Sequence, residues 1–579
     1  IVLGLCLAIF FLGLAKGMKA IDIFFTAVSL AVAAVPEGLP AIVTICLAIG
    51  VQRMIKKNAL IRRLDAIETL GNITVICADK TGTMTENQMK VVGSWVPQGG
   101  DEALLARVGA SCNRAELPNI GDPTEIALLV HAEEKGVKRL PIAEEDVPFT
   151  SENKYMITSH EYEGKTVKYC KGAVEMVVEL VKGADTKAVM AQNEAMAKQG
   201  LRVLAMAADT GSGLQLVGLI AMVDPPRKGV REAIGMAKKA GIRTVMITGD
   251  NPVTAGHIAQ QVGLETSGVI DGKQLEEMDL QQLQHALKTV SVFARVQPVH
   301  KVKILEAFQS LGQIVAMSGD GVNDAPALKR SHVGIAMGLR GTDVARESGA
   351  MVLTDDNYAT IVAAIGEGRR IYDNIRKFII FLLRSNVGEV LLIATAMLIN
   401  FPLPLLPLHI LWVNLVTDSF PALALAAEKA EPNIMSRPPR KKGENVLTGE
   451  ISLLFVAGLF NAGLSLWVFW WLEFHLGSNL MLARTGALTT TIVFQCFLAL
   501  STRMKGTVFH ASPFGNPWLL GAIGLSLGLH LILLYSPLGT LFNVLPMPAE
   551  GWGLILGTTF AGFIGFEICK VIRNKLVHG

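Results

Sequence analysis

Apolar and polar positions divide the chain into an apolar stretch at 1–50, a polar middle from about 60 to 360, and a second apolar stretch from about 375 to 572. Residues 1–15 form an apolar run shorter than the roughly 20 residues a spanning helix needs. The run opens at Ile1 with no initiator Met, charged leader or cleavage site, so it is expected to be the remainder of a helix whose start is missing. After Lys16 and Lys19, a second apolar segment covers roughly 21–50, interrupted by Val32-Ala33-Ala34-Val35-Pro36-Glu37-Gly38-Leu39-Pro40. Two prolines and a glycine around one carboxylate should unwind that helix and free backbone carbonyls. Arg53, Lys56, Lys57, Arg62 and Arg63 follow, which places this end in the cytoplasm.

The polar middle carries short β-branched runs that alternate with helical patterns. Thr74–Ala78 predicts a buried strand ending in Asp79-Lys80-Thr81-Gly82-Thr83-Met84-Thr85. Thr244–Ile247 predicts another, ending in Thr248-Gly249-Asp250, and Ile314–Met317 a third, ending in Gly319-Asp320-Gly321-Val322-Asn323-Asp324. Three buried strands with acidic, glycine-containing ends predict one parallel sheet. Residues 91–223 interrupt it as a separate α/β insertion, left through the rigid linker Asp224-Pro225-Pro226-Arg227. Beyond Tyr372, spans are predicted near 375–399, 405–427, 449–472, 481–503, 517–535 and 551–572. The basic linkers at Arg437–Lys442 and Arg503–Lys505, and the tail with Arg573 and Lys575, belong on the cytoplasmic side. The expected organisation is therefore 1–52 in the membrane, 53–90 and 224–365 as two parts of one α/β domain, 91–223 inserted, and 366–579 in the membrane.

Composition agrees with that division. Hydrophobic residues make up 51% of the 579 and the mean hydropathy is +0.42, high for a soluble enzyme. A net charge of +3 gives no sign of a nucleic-acid partner, and no obligate protein partner is evident. The seven cysteines are scattered without a Cys-x-x-Cys pair, which argues against a disulfide framework or a thiolate metal site.

The chemistry concentrates at the strand ends. A carboxylate at the carboxyl end of a buried strand, followed by a lysine, a glycine turn and three threonines, suits a nucleophile that becomes an aspartyl phosphate. Phosphoryl transfer also needs Mg²⁺ and cations over the moving oxygens. Asp320 is the best Mg²⁺ ligand beside Asp79, with the Thr81 carbonyl as a third oxygen. Lys301 follows Arg295-Val296-Gln297-Pro298 at a helix start and can neutralise phosphate charge. Thr248, Gly249, Asp250, Asn323 and Asp324 would complete the shell with Lys80.

These motifs, in this order, resemble the catalytic part of a P-type ATPase, and the resemblance covers nearly the whole chain. It implies a polytopic α-helical membrane protein with an α/β cytoplasmic part. That part would hold a haloacid-dehalogenase-like phosphorylation domain and an inserted α/β nucleotide-binding domain, with ATP and Mg²⁺ as cofactors. By motif, Glu125, Phe149, Lys154, Lys171 and Arg202 match its nucleotide-site positions, with Phe149 stacking on adenine. Val174 departs from the family's usual proline after Lys-Gly-Ala.

Polar groups inside spans are costly and usually functional. Asn386 and Glu389 are three apart, and Asn414 and Asp418 four apart with Thr417 beside them. With Glu37 and the carbonyls of Val32, Ala33 and Val35, they predict an all-oxygen cage suited to Ca²⁺, with Mn²⁺ possible. The strings Pro-Glu-Gly-Leu-Pro, Ser-Asn-Val-Gly-Glu and Asn-Leu-Val-Thr-Asp resemble the calcium-pump branch. There a glutamate in the span at 481–503 completes a second ion site, and here the matching position is Gln495. Glu567 is expected to snorkel beside Lys570. The family's actuator loop, Thr-Gly-Glu-Ser, is not found; Thr448-Gly449-Glu450 is a helix-start coincidence. The resulting expectation is an ATP-driven Ca²⁺ pump, present as a fragment unable to complete its cycle, in a bacterial plasma membrane. A Mn²⁺ or Na⁺ pump, or an inactive nucleotide-binding regulator, is the alternative.

Overall fold

The computed structural model describes residue 11 and residues 20–578 save 210, 442, 476–478, 505 and 509–512. The predicted first helix, residues 1–15, lies outside the described residues except for Phe11. The chain folds into two compact units: Met54–Gly366 with Met435–Pro439, and Ile1–Arg53 with Glu367–Ile434 and Arg440–Gly579.

The first of these units holds two sheets. Among the described residues the larger has eight strands, with Val75–Asp79 near its centre between Val315–Gly319 and Arg243–Ile247, parallel to both. The three strands predicted from their apolar runs are thus immediate neighbours, so their carboxyl ends open on one edge. Val333–Met337 and Met351–Leu353 extend the sheet on one side, and Val292–Ala294 and Val269–Asp271 on the other. Only Ala59–Ile61 runs antiparallel. Helices on the faces bury Cys77, Val245, Phe293, Ile304 and Met317, as parallel sheets require. The second sheet is six antiparallel strands, from Lys90–Trp95 paired with Gln215–Val223 out to Glu144–Val147. Its core gathers Met156, Tyr169, Met206 and Ile220 under the helices Glu102–Ser111 and Pro123–Glu134.

The other unit is helical. Among the described residues six helices are long and apolar enough to cross a membrane: Tyr358–Leu398, Pro407–Ala426, Ile451–Phe474, Leu480–Thr502, Pro517–Tyr535 and Ala549–Leu576. Each coincides with a predicted span, and the first begins earlier than the hydropathy suggested because no proline interrupts Tyr358–Tyr372. Two shorter apolar helices, Ala20–Ala33 and Leu39–Ile55, flank the Pro36–Gly38 break. The chain is a multi-pass integral membrane protein.

One expectation needs correcting. Glu567 does not snorkel: it is 1% exposed, accepts from the Val508 amide at 3.0 Å and from the Ser501 hydroxyl, and lies 3.9 Å from Lys570. A carboxylate with three such partners has no need to reach water.

Candidate phosphoryl-transfer and cation sites

At the sheet edge, Asp79 ends its strand and the chain turns at once. Gly82 has φ +72°, a left-handed conformation that favours glycine. The turn is closed by Thr85, whose hydroxyl lies 2.5 Å from Asp224 Oδ2. Lys301, in the first turn of the helix Pro298–Ser310, extends a buried ammonium to Asp79 Oδ2 at 2.9 Å and Asp324 Oδ1 at 2.8 Å. Burial works against its charge, but the carboxylates of Asp79 and Asp324 outweigh it and hold Lys301 above its usual range. The carboxylates of Asp79, Asp320 and Asp324 bring oxygens within 4.8 Å of one another. Burial, then the nearby Asp79 charge, raises the Asp320 pKa. Asp324 also accepts from the backbone amides of Asp320 and Gly321 at 3.1 and 3.2 Å, which fixes the loop.

Lys80 points away from this cluster. Its buried ammonium meets Asp250 at 2.7 Å and Asp224 at 3.7 Å. The Thr248 hydroxyl holds Asp250 Oδ2 at 3.0 Å, and Gly249 lies exposed between them. Thr81 and Asp320 meet at Arg340, which donates to the Thr81 carbonyl at 3.3 Å and lies 3.6 Å from Asp320 Oδ2. Asn323 is exposed on the turn before Asp324. Arg340 was missed from the sequence; the available signal was a glycine-flanked loop after the strand next to that of Asp320.

In the inserted domain, Lys171 is 6% exposed and its ammonium sits 2.7 Å from Glu125 Oε1. Glu125 also accepts the Arg114 amide at 3.2 Å, and Arg202 donates to Thr124, the residue beside it, at 3.1 Å. Lys154 has φ +57° and its carbonyl takes the Ala173 amide at 2.9 Å, so its backbone adjoins the Lys171-Gly172 turn. Phe149 is 57% exposed, an open ring face on the same loop as Lys154. Glu125 and Lys171 are paired directly, and Arg202 reaches the neighbouring Thr124; Phe149 has no described polar link to them.

In the membrane unit, Asn386, Glu389, Asn414, Thr417, Asp418 and Gln495 are all buried. Gln495 Nε2 donates to Glu389 Oε1 at 3.0 Å. Asn386 Oδ1, Glu389 Oε2, Asp418 Oδ2 and Gln495 Oε1 are buried oxygens without a hydrogen-bond partner in this structure. Asn386 Nδ2 and Asn414 Nδ2 are without partners as well; buried polar atoms are normally satisfied, and the unpartnered oxygens on three spans are the atoms that could take a cation. A π turn at Val413–Thr417, closed by Asp418 N on the Val413 carbonyl at 2.8 Å, sets the relative placement of Asn414 and Asp418. Periodicity gave no sign of it. The helix Ala20–Ala33 ends as expected, but the Val32 carbonyl is not wholly freed, since Val35 N approaches it at 3.3 Å. Ala33 is buried; Val35 and Glu37 are exposed, and Glu37 remains within electrostatic reach of Glu389. Gly38 packs so that a Cβ there would lie 3.1 Å from Ser419 Oγ, beside Asp418.

Comparison with known proteins identifies the family. Residues 73–332 match the family model described as haloacid dehalogenase-like hydrolase, and residues 402–572 that of the cation transporting ATPase C-terminus. The chain is 40% identical to a "Calcium-transporting ATPase" of Bacillus subtilis, over 94% of this chain and 69% of that protein. It is 37% identical to "Calcium-transporting ATPase 1" of Bacillus cereus over 99% and 72%, respectively. It is 39% identical to "Probable cation-transporting ATPase F" of Mycobacterium bovis over 97% and 70%. At 37–40% identity over about 70% of each of these relatives, the chain belongs to the P-type ATPases, an enzyme family, and to their calcium-pump-like branch.

Proposed function

We propose that this protein moves Ca²⁺ across a bacterial plasma membrane, driven by ATP through an aspartyl phosphate on Asp79. The observation that carries the reading is the Lys301 ammonium held between Asp79 and Asp324, 2.9 and 2.8 Å away. In the reaction an Asp79 carboxylate oxygen attacks the γ-phosphorus of ATP. The new O–P bond forms as the bond to the bridging oxygen breaks, and that oxygen leaves with its electrons on ADP. Lys301 offsets the charge on Asp79 and the transferring oxygens. Asp79, Asp320 and the Thr81 carbonyl are the hard oxygen donors that Mg²⁺ takes, and the clustering of the carboxylates within 4.8 Å fits them to it. Mg²⁺ there would supply charge neutralisation. Lys80 steadies the Thr248-Gly249-Asp250 loop beside the phosphoryl path, with Asn323 and Asp324 on the opposite loop. Adenine would stack on the open ring of Phe149, and Lys154, Lys171 and Arg202 would face the phosphates, with Lys171 positioned by Glu125.

The transported ion would be held by Glu37, Asn386, Glu389, Asn414, Thr417, Asp418 and Gln495, with the carbonyls of Val32, Ala33 and Val35. Charged and amide oxygens in a flexible cluster suit Ca²⁺, and the curated relatives named above support that choice. The test is acid-stable labelling from γ-labelled ATP with and without Ca²⁺. Label at Asp79, gained with Ca²⁺ and lost in Asp79→Asn while ATP still binds, is the expected result. Label that persists in Asp79→Asn would refute the mechanism, and label indifferent to Ca²⁺ would refute the ion.

A further inference from the structure

The third carboxylate of the phosphorylation cluster has its own cation. Lys301 serves Asp79 and Asp324; Asp320 is approached by the Arg340 guanidinium at 3.6 Å, which also donates to the Thr81 carbonyl at 3.3 Å. The guanidinium lies over Gly82 so closely that a Cβ there would fall 1.5 Å from Arg340 Nη1. The φ of +72° at Gly82 favours glycine, and the absence of a side chain there leaves the space in which the Arg340 guanidinium lies.

The backbone that delivers Arg340 is fixed. Asp356, fully buried, accepts the amides of Gly338 and Leu339 on Oδ1 at 2.7 and 3.0 Å, and that of Arg340 on Oδ2 at 3.0 Å. Arg346 donates to the Gly338 carbonyl at 2.9 Å, and the Thr342 amide donates to the Asp320 carbonyl at 2.9 Å. The loop 338–342 is thus pinned beside Asp320 by its main chain, while the Arg340 side chain is about a third exposed.

We propose that Arg340 is a built-in competitor for the Mg²⁺ position, occupying the Thr81 carbonyl and Asp320 and swinging off them when the metal binds. This rests on the reading of those two groups and Asp79 as the metal oxygens. A guanidinium hydrogen-bonded to the Thr81 carbonyl and paired with the Asp320 carboxylate would stand within a few ångströms of a divalent ion on the same oxygens, and the two positive charges repel. The measured metal affinity is then the intrinsic affinity reduced by the fraction of chains in which Arg340 has left. Arg340 is a positioning residue that sets the metal concentration at which the site becomes competent.

Mn²⁺, a paramagnetic stand-in, is titrated into the full detergent-solubilised chain without nucleotide, and bound ion is read from the loss of the free-ion resonance. The component lost in Asp320→Asn is assigned to this site, which separates it from any Mn²⁺ held in the membrane. Arg340→Ala, and the polar Arg340→Gln as a second variant, are expected to tighten that component by about tenfold, as for a competitor present in nine chains of ten. An Asp320-dependent component that is unchanged or weaker in both variants overturns the proposal and leaves the metal reading standing. A titration indifferent to Asp320→Asn overturns the metal reading, and this proposal with it.

Discussion

Ser526 Oγ donates to the Thr417 carbonyl at 2.9 Å. In a regular helix that carbonyl would take the amide of residue 421, but residue 421 is proline and has none. The span Pro517–Tyr535 therefore supplies the hydrogen bond that the span Pro407–Ala426 cannot make for itself. The π turn at Val413–Thr417 survives in a buried setting because its displaced carbonyls have partners: within the same span, Ser419 Oγ donates to the Asn414 carbonyl at 2.9 Å.

Pro421→Ala tests whether that geometry matters. Restoring an amide at 421 offers Thr417 a helical partner in competition with Ser526 and draws the π turn toward a regular helix. Asn414 and Asp418 would then rotate relative to Glu389 and Gln495. Ca²⁺ affinity is expected to fall about tenfold, within the range seen when supports behind metal ligands are removed. Equilibrium Ca²⁺ binding measures it; wild-type affinity in Pro421→Ala would separate the π turn from ion binding.

Lys171→Met should weaken ATP binding and lower stability together. It leaves Glu125, now 2.7 Å from the ammonium, with the Arg114 amide at 3.2 Å as its described donor. Because Glu125 is partly exposed, the stability loss is expected at about 1–2 kcal/mol, below that of a fully buried pair. Lys171→Arg, which keeps the charge, should recover most of the stability. Thermal unfolding and nucleotide titration of the same samples check both; loss of stability with unchanged ATP affinity would make the pair purely structural.

The carboxylate cluster proposed as the phosphorylation site was legible as a group of strand ends, because an apolar run announces each strand and the next residues are its polar loop. The spans were legible because hydrocarbon demands length and apolarity in one stretch. Contacts between elements were not. Nothing in the spacing of Gln495 brings its amide to Glu389, and nothing around Val413 signals a π turn, since one extra residue barely disturbs an apolar pattern. Arg340 sits in a loop with no period and reaches its partners through packing. Val32 differed for a local reason: once the helix stops at Ala33, the chain closes a turn that returns Val35 N to the Val32 carbonyl.

The thiols of the polar unit should be inert. Burial pushes Cys77 and Cys170 up to about 12 and raises Cys112 as well. A thiol with a raised pKa stays protonated as pH climbs past its ordinary range, so thiolate becomes abundant only near that higher value. Reaction of these cysteines with an aromatic disulfide reagent should be negligible in the native protein at both pH 7 and pH 9, and complete after unfolding. Mass mapping of labelled peptides reads the outcome; rapid native labelling of Cys170 at pH 9 would contradict it.

The last expectation concerns how many ions bind. The proposed cage offers three carboxylates, Glu37, Glu389 and Asp418, and Gln495 stands where a fourth could be. Its amide nitrogen is already committed to Glu389 Oε1 at 3.0 Å, which leaves one neutral oxygen, Oε1, for a cation. Two divalent ions would set four positive charges against three negative ones in a low-dielectric span, and an uncompensated charge there is expensive. A single Ca²⁺, held mainly by Glu37, Asn414, Asp418 and the Val32, Ala33 and Val35 carbonyls, balances better and leaves Glu389 to exchange protons. Ca²⁺ binding should therefore saturate at one ion per chain without cooperativity. Gln495→Glu supplies the missing charge and removes the amide donor, so it is the variant in which a second ion becomes affordable. Two ions in the unmodified protein, with a Hill coefficient near two, would refute the charge argument.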